Sequence, residues 1–156
     1  MLRFDGFNVI MTRIDDTGTE DDKSAAIASR KKSDLYNRLQ IMKDNPNAVF
    51  VSIHLNKFTT SAANGAQVFY TKNYKEAYTL AFSVQEKIKN FIQPENTRVV
   101  KQGTDSTYLL KNAPVPAIIV ECGFLSNKSE LEKLKCEDYQ SQMAFAVACG
   151  IIDFFK

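Results

Sequence analysis

The run AVFVSIHLN, residues 48–56, decides the architecture. Up to Ile53 it is apolar and β-branched with a single serine, which is the pattern of a strand fully buried between two layers rather than one with a wet face. NPN at 45–47 separates it from what precedes, and KFTTSAAN at 57–64 reads as a loop of small polar residues. A strand covered on both sides needs helices above and below. Between 23 and 43, Ala26, Ile27, Leu35, Leu39 and Met42 recur at helical spacing. Between 74 and 91, Ala77, Leu80, Ala81, Val84 and Ile88 do the same, with Pro94 as the stop.

A second continuous apolar run, VPAIIVE at 115–121, predicts another buried strand, with Pro116 tolerated at its start. FNVIMT at 7–12, GAQVFYT at 65–71 and RVVKQ at 98–102 are shorter strand expectations, and DDTGTEDD at 15–22 is acidic and turn-prone. NKSE at 127–130 has the form of a capping box, and 137–155 closes the chain as an apolar-faced helix. Strands alternating with helices imply one α/β domain over residues 1–156, with a mixed, mostly parallel sheet flanked by helices.

Composition excludes several classes. With 44% hydrophobic and 24% charged residues, neither disorder nor a fibrous repeat fits. A net charge of only +2 without an arginine-rich block argues against a nucleic-acid partner. No apolar run approaches the roughly 18 residues of a membrane span, and the first residues lack the pattern of a secretory signal, so a soluble segment is expected. Three cysteines without C-x-x-C spacing suggest neither a disulfide framework nor a zinc ribbon.

Two buried runs end in an ionisable residue, His54 and Glu121, where open α/β sheets collect ligands. His54 is the sole histidine, so any chemistry it serves takes its partners from other residue types or from outside the chain. A strand-end histidine satisfied by a backbone carbonyl explains it equally, as a capping or ion-paired carboxylate explains Glu121. Cys122 beside Glu121 admits a Cys-His nucleophile or simply a small buried thiol at a tight strand end. Asn56 can face a ligand or close an Asx-turn.

SIHLN at 52–56 followed by GAQVFY at 65–70, and later VPAIIVECGFLSN at 115–127, resemble the zinc-dependent N-acetylmuramoyl-L-alanine amidases (amidase type 3) of the bacterial cell wall, and among them the germination-specific amidases of spore cortex. VIMTR at 9–13, Arg38, TYLLKNAPVPA at 107–117 and YQSQMAFAVACGI at 139–151 follow in the expected order, so the resemblance covers essentially the whole chain. It implies hydrolysis of the amide between the lactyl group of N-acetylmuramic acid and L-alanine, with Zn2+ as cofactor and peptidoglycan as partner. The location it implies is extracytoplasmic. His54 then matches a zinc ligand and Glu121 the catalytic glutamate, with Asn56 a candidate substrate contact. A catalytic zinc takes three protein ligands and lowers the pKa of bound water to about 7.

The same resemblance implies a departure. Family members open with a strand ending in a glycine-flanked histidine and a helix beginning with a glutamate, and both complete the metal site. Neither precedes Met1 here, and Glu20, Asp21 and Asp22 fit no ligand pattern, so the chain reads as a domain lacking its first strand and first helix. Ligands of one zinc lie within about 4 Å of each other. The strand beside the one ending in His54 would therefore be the absent one, leaving an unpaired apolar edge open to self-association. A catalytically inactive peptidoglycan-binding or structural module is the alternative to an active hydrolase.

Overall fold

The computed structural model describes residues 1–156. The elements in order are α1 (Ile27–Lys43), β1 (Phe50–Asn56), β2 (Gln67–Tyr70), α2 (Glu76–Ile92), β3 (Lys101–Gln102), α3 (Tyr108–Asn112), β4 (Ala117–Phe124), α4 (Lys128–Lys135) and α5 (Glu137–Phe154). The strands form one mixed sheet in the order β1-β4-β2-β3. β1 runs parallel to β4 and β2 parallel to β3, while β2 and β4 are antiparallel. This is the α/β architecture the sequence predicts.

Alternation along β4 builds two cores. Ile118, Val120 and Cys122 face one layer with Leu80, Val84 and Ile88 of α2 and Met143, Val147 and Ile151 of α5. Ala117 and Ile119 face the other, with Leu39 and Met42 of α1 and Leu109 and Leu110 of α3. Because successive strand residues point to opposite faces, a strand must be apolar throughout to serve both layers, and β4 is. The α2–α5 crossing is close enough to require Gly150, where an added Cβ would lie 2.5 Å from the Val84 Cα.

Several sequence expectations need correction. FNVIMT (7–12) is not a strand, and its backbone enters no sheet ladder. It lines a cavity of about 1100 Å³ together with Val49, Val51, Ile53 and Leu55. Nothing in the chain lies alongside β1 on that side, and an extended segment without a hydrogen-bonding neighbour is not a strand. For the same reason β1 is an edge strand and not a fully buried one, with Ile53 57% and Leu55 47% exposed. The first helix begins at Ile27 rather than at 23, RVVKQ contributes only the two residues of β3, and α3 lies where the sequence predicts no element. No helix is long and apolar enough to cross a membrane.

The acidic segment before α1 folds back onto that helix. Glu20 pairs with Arg30 at 2.7 Å, Asp21 accepts from Ser33 and Asn37, and Thr19 donates to Asp34 through its backbone N–H at 2.8 Å. Arg38 completes the junction, donating to both oxygens of Asp34 and to the Thr12 hydroxyl. Burial alone would raise the Asp34 carboxyl, but the bonds from Arg38 and Thr19 outweigh it and hold it at about 2, below the usual 3.8. A carboxylate depressed in the folded state stabilises fully above its ordinary value, and the effect is lost as pH falls through the folded one. Asp34→Asn is therefore expected to lower stability at pH 7 by roughly 1 kcal/mol, after allowance for solvent screening. The loss should shrink as pH falls through about 2, as followed by thermal unfolding across pH; an equal loss at both ends would remove the electrostatic explanation.

Candidate functional site

In the parallel β1–β4 ladder Phe50, Val51, Ser52, Ile53 and His54 stand opposite Ala117, Ile118, Ile119, Val120 and Glu121. His54 and Glu121 are thus register partners on adjacent strands with side chains on the same face. Neither residue ends its strand, since β1 runs on to Asn56 and β4 to Phe124. Beyond the pair the register shifts, so that β4 carries one more residue than β1 before Asn56 meets Phe124. Such a bulge bends the strand just past this pair, and bulges commonly re-aim side chains.

On its other side β4 meets β2, and there Glu121 stands opposite Gln67. An imidazole, a carboxyl and a carboxamide therefore form one row across three strands. Gln67 is buried and held by two bonds, donating to the Val99 carbonyl at 2.8 Å and accepting from Arg98 at 2.9 Å. Arg98 also donates to the Asn64 carbonyl and lies 4.7 Å from the Phe124 ring centroid. Neither Gln67 nor Arg98 stands out in the sequence, and only the pairing of β2 with β4 brings them to this row.

The two members of the central pair differ in setting. His54 is exposed at the outer strand, whereas Oε2 of Glu121 is buried without a hydrogen-bond partner. Burial pushes the Glu121 carboxyl above its ordinary range, and His54 offsets part of that. A buried acceptor left unsatisfied is rare and calls for an explanation. Cys122, the next residue, points to the opposite face into the α2–α5 core, and burial pushes its thiol up to about 12. A thiol in that state is no nucleophile, which removes the Cys-His alternative. Asn56 makes no Asx-turn, because the Phe58 N–H donates to Ser126 Oγ at 3.1 Å instead.

These residues do not fit a catalytic zinc by themselves. No three His, Cys, Asp or Glu side chains lie close enough to hold a metal ion. The loop following β1, residues 57–65, contains none of these types, and Glu20, Asp21 and Asp22 are spent on α1 and on their own turn. The large apolar cavity is a separate feature, since Ile53 and Leu55 face it while His54, between them, faces the other way.

The sequence profile of the N-acetylmuramoyl-L-alanine amidase family matches residues 1–153. The germination-specific N-acetylmuramoyl-L-alanine amidase of Bacillus subtilis (strain 168) is 32% identical over 154 residues, covering 99% of this chain and 64% of the relative. LytC of the same organism is 31% identical over 110 residues, covering 69% of this chain and 22% of its own length. The chain thus spans less than two thirds of either relative. Among solved structures, the CwlD amidase of Clostridioides difficile, in complex with the GerS lipoprotein, superposes with a TM-score of 0.90 at 38% identity, covering 98% of this chain and 78% of that one. The catalytic domain of CwlV from Bacillus (Paenibacillus) polymyxa var. colistinus gives a TM-score of 0.70 at 28% identity, covering 95% and 72%.

A carboxyl whose folded-state value is raised leaves the protein most stable below its ordinary value of 4.5, and stability declines as pH rises through the folded value. Glu121→Gln removes that decline. It is expected to raise the thermal midpoint at pH 7 by about 1–2 °C, a small gain because the half-exposed group is screened by solvent. Below the ordinary carboxyl value the two proteins should melt together; a midpoint at pH 7 no higher than the wild type's would mean that the buried charge is already compensated.

Proposed function

The chain belongs to the N-acetylmuramoyl-L-alanine amidase family, and from that premise we propose that it hydrolyses the amide joining the lactyl group of N-acetylmuramic acid to L-alanine in peptidoglycan. The observation that carries this reading is the register pairing of His54 with Glu121, whose second carboxyl oxygen is buried and unpartnered. A carboxylate held above its usual range by burial is suited to take a proton from an attacking water and return it to the leaving amine. That is the role assigned to Glu121. His54 supplies one metal donor, and Asn56, whose carboxamide makes no bond within the chain, lies at the end of the same strand as a contact for the sugar or the stem peptide.

Zinc is the cofactor the family implies, and one imidazole is too few donors for it, since catalytic sites take three. Among the side chains present, no second and third donor joins His54. This observation favours a second reading, in which the chain acts as a peptidoglycan-binding module without turnover. Its substrate lies beyond the cytoplasmic membrane, so the site of action is extracytoplasmic. The complex of the CwlD relative with a lipoprotein supports an accessory protein for this chain as well.

Metal analysis of the purified chain, combined with release of free stem-peptide amine from muropeptides in added zinc, separates the two readings. Stoichiometric zinc with turnover, lost in Glu121→Gln while the metal stays, is the outcome expected of the hydrolase. Metal-free protein that still sediments with cell wall supports the module, and failure of both assays sinks the family function for this chain. The open side of β1 adds a further expectation, because an apolar edge with unpaired backbone groups invites pairing with a second copy. Light scattering after size exclusion should give a mass above the monomer at tens of micromolar, and a clean monomer would count against edge pairing.

A further inference from the structure

Glu130 stands where a capping box requires it, in the first turn of α4, three residues after the N-cap Asn127. Only half of the box forms. Asn127 Oδ1 accepts from the N–H groups of Ser129 and Glu130 at 3.0 and 3.2 Å, but the carboxylate of Glu130 does not return to the cap, whose own N–H is taken by the Phe124 carbonyl. Instead Glu130 Oε1 accepts from the Gly65 N–H and Oε2 from the Phe124 N–H, both at 2.8 Å. Phe124 ends the strand that carries Glu121, and Gly65 leads into the strand that carries Gln67.

One carboxylate therefore bridges two of the three strands of that row, β4 and β2, just beyond it. Neighbouring residues hold the loop that lies between. Asn127 Nδ2 donates to the carbonyls of Ser61 and Ala63, and Ser126 Oγ accepts from Phe58. The stretch 57–65, which leaves the His54 strand, is fastened by the segment 126–130 and by Arg98 on Asn64. Gly123 makes the approach feasible, because a Cβ there would lie 3.3 Å from Glu130 Oε2, tighter than ordinary contact.

We propose that Glu130, together with Asn127, is a positioning residue that fixes the loop 57–65 against the end of β4 and so sets the position of His54 relative to Glu121. The amidase reading enters only in naming the ligand of that pair as a muramyl peptide. The chemistry explains why the position needs a carboxylate. Two N–H donors converge on it, and charge-assisted bonds to two acceptor oxygens satisfy both. Glutamine offers one acceptor and turns an N–H₂ toward the other donor, leaving a buried N–H without a partner.

The single histidine makes the test direct, since the imidazole signals in an NMR spectrum of the full chain belong to His54 alone. In Glu130→Gln, hydrogen exchange at the Gly65 and Phe124 amides is expected to accelerate about tenfold or more, the change implied by losing a bond to a charged group. The His54 ring signals should move and affinity for the fragment N-acetylmuramoyl-L-alanyl-D-isoglutamine should fall, both read well below the melting temperature so that loss of stability alone does not produce them. Asn127→Asp is the second variant. It keeps the cap oxygen but replaces the two donations to the loop with repulsion, and it should move the same ring signals and affinity should Glu130→Gln fail to fold. Amides as protected as in the wild type, or ring signals unmoved in both variants, would overturn the proposal. Wild-type protein that binds no fragment would defeat the amidase reading of the ligand, while the amide and ring measurements still decide whether the clamp exists.

Discussion

The parallel pairing of β1 with β4 is the constraint on which the rest depends. β4 is the only strand with a neighbour on one side in β1 and on the other in β2, and it lends alternate residues to both cores. Its register decides the site, because a slip of one residue would turn Glu121 toward the α2–α5 layer and bring Cys122 into the row with His54. The core forbids that slip. Ile118 and Val120 fit among Leu80, Val84 and Val147, and exchanging them with Ile119 and Glu121 would drive a carboxyl into that layer. The same hydrophobic burial that folds the sheet thus fixes the imidazole beside the carboxyl.

Much of this is legible in the sequence, and the exceptions share a physical cause. Helices α2 and α5 and strand β4 are readable because their apolar periodicity reflects burial that any partner would impose. FNVIMT (7–12) has the composition of a strand and fails to be one, since a strand is defined by its neighbour and composition does not supply one. β1 reads as fully buried for a related reason. Ile53 and Leu55 are apolar as if a layer covered them, and in the chain they face a cavity. The short α3 gives too few residues for any period to register.

Of the candidate site, the pair His54 and Glu121 is legible in the sequence and its surroundings are not. His54 and Glu121 stand out because ionisable groups close apolar runs, although both strands continue past them. Gln67 and Arg98 carry no such mark, since their relation to Glu121 arises from an antiparallel pairing between distant parts of the chain that no local pattern encodes. Glu130 shows the opposite failure. A local motif predicts its partner correctly in form, yet two backbone donors brought near by the fold compete for the same carboxylate and win. Strand parity would have disposed of Cys122 from the start, because a neighbour of Glu121 on one strand must face the other side.

The arrangement leaves the two central groups unequally held. Glu121 sits on a strand paired on both sides, buried in part, with its strand end fastened by Glu130. His54 sits on a strand paired on one side only, exposed, with an apolar cavity behind Ile53 and Leu55. Local opening of a sheet starts where backbone bonds and apolar contacts are fewest. Of the two, then, the Glu121 carboxyl is the more firmly held and the imidazole the less, and any contact that pairs the free side of β1 would add backbone bonds to the strand that carries His54. The loop 57–65 matters for the same asymmetry, because its bonds to Ser126, Asn127 and Glu130 continue the link between the His54 strand and β4 beyond the paired residues.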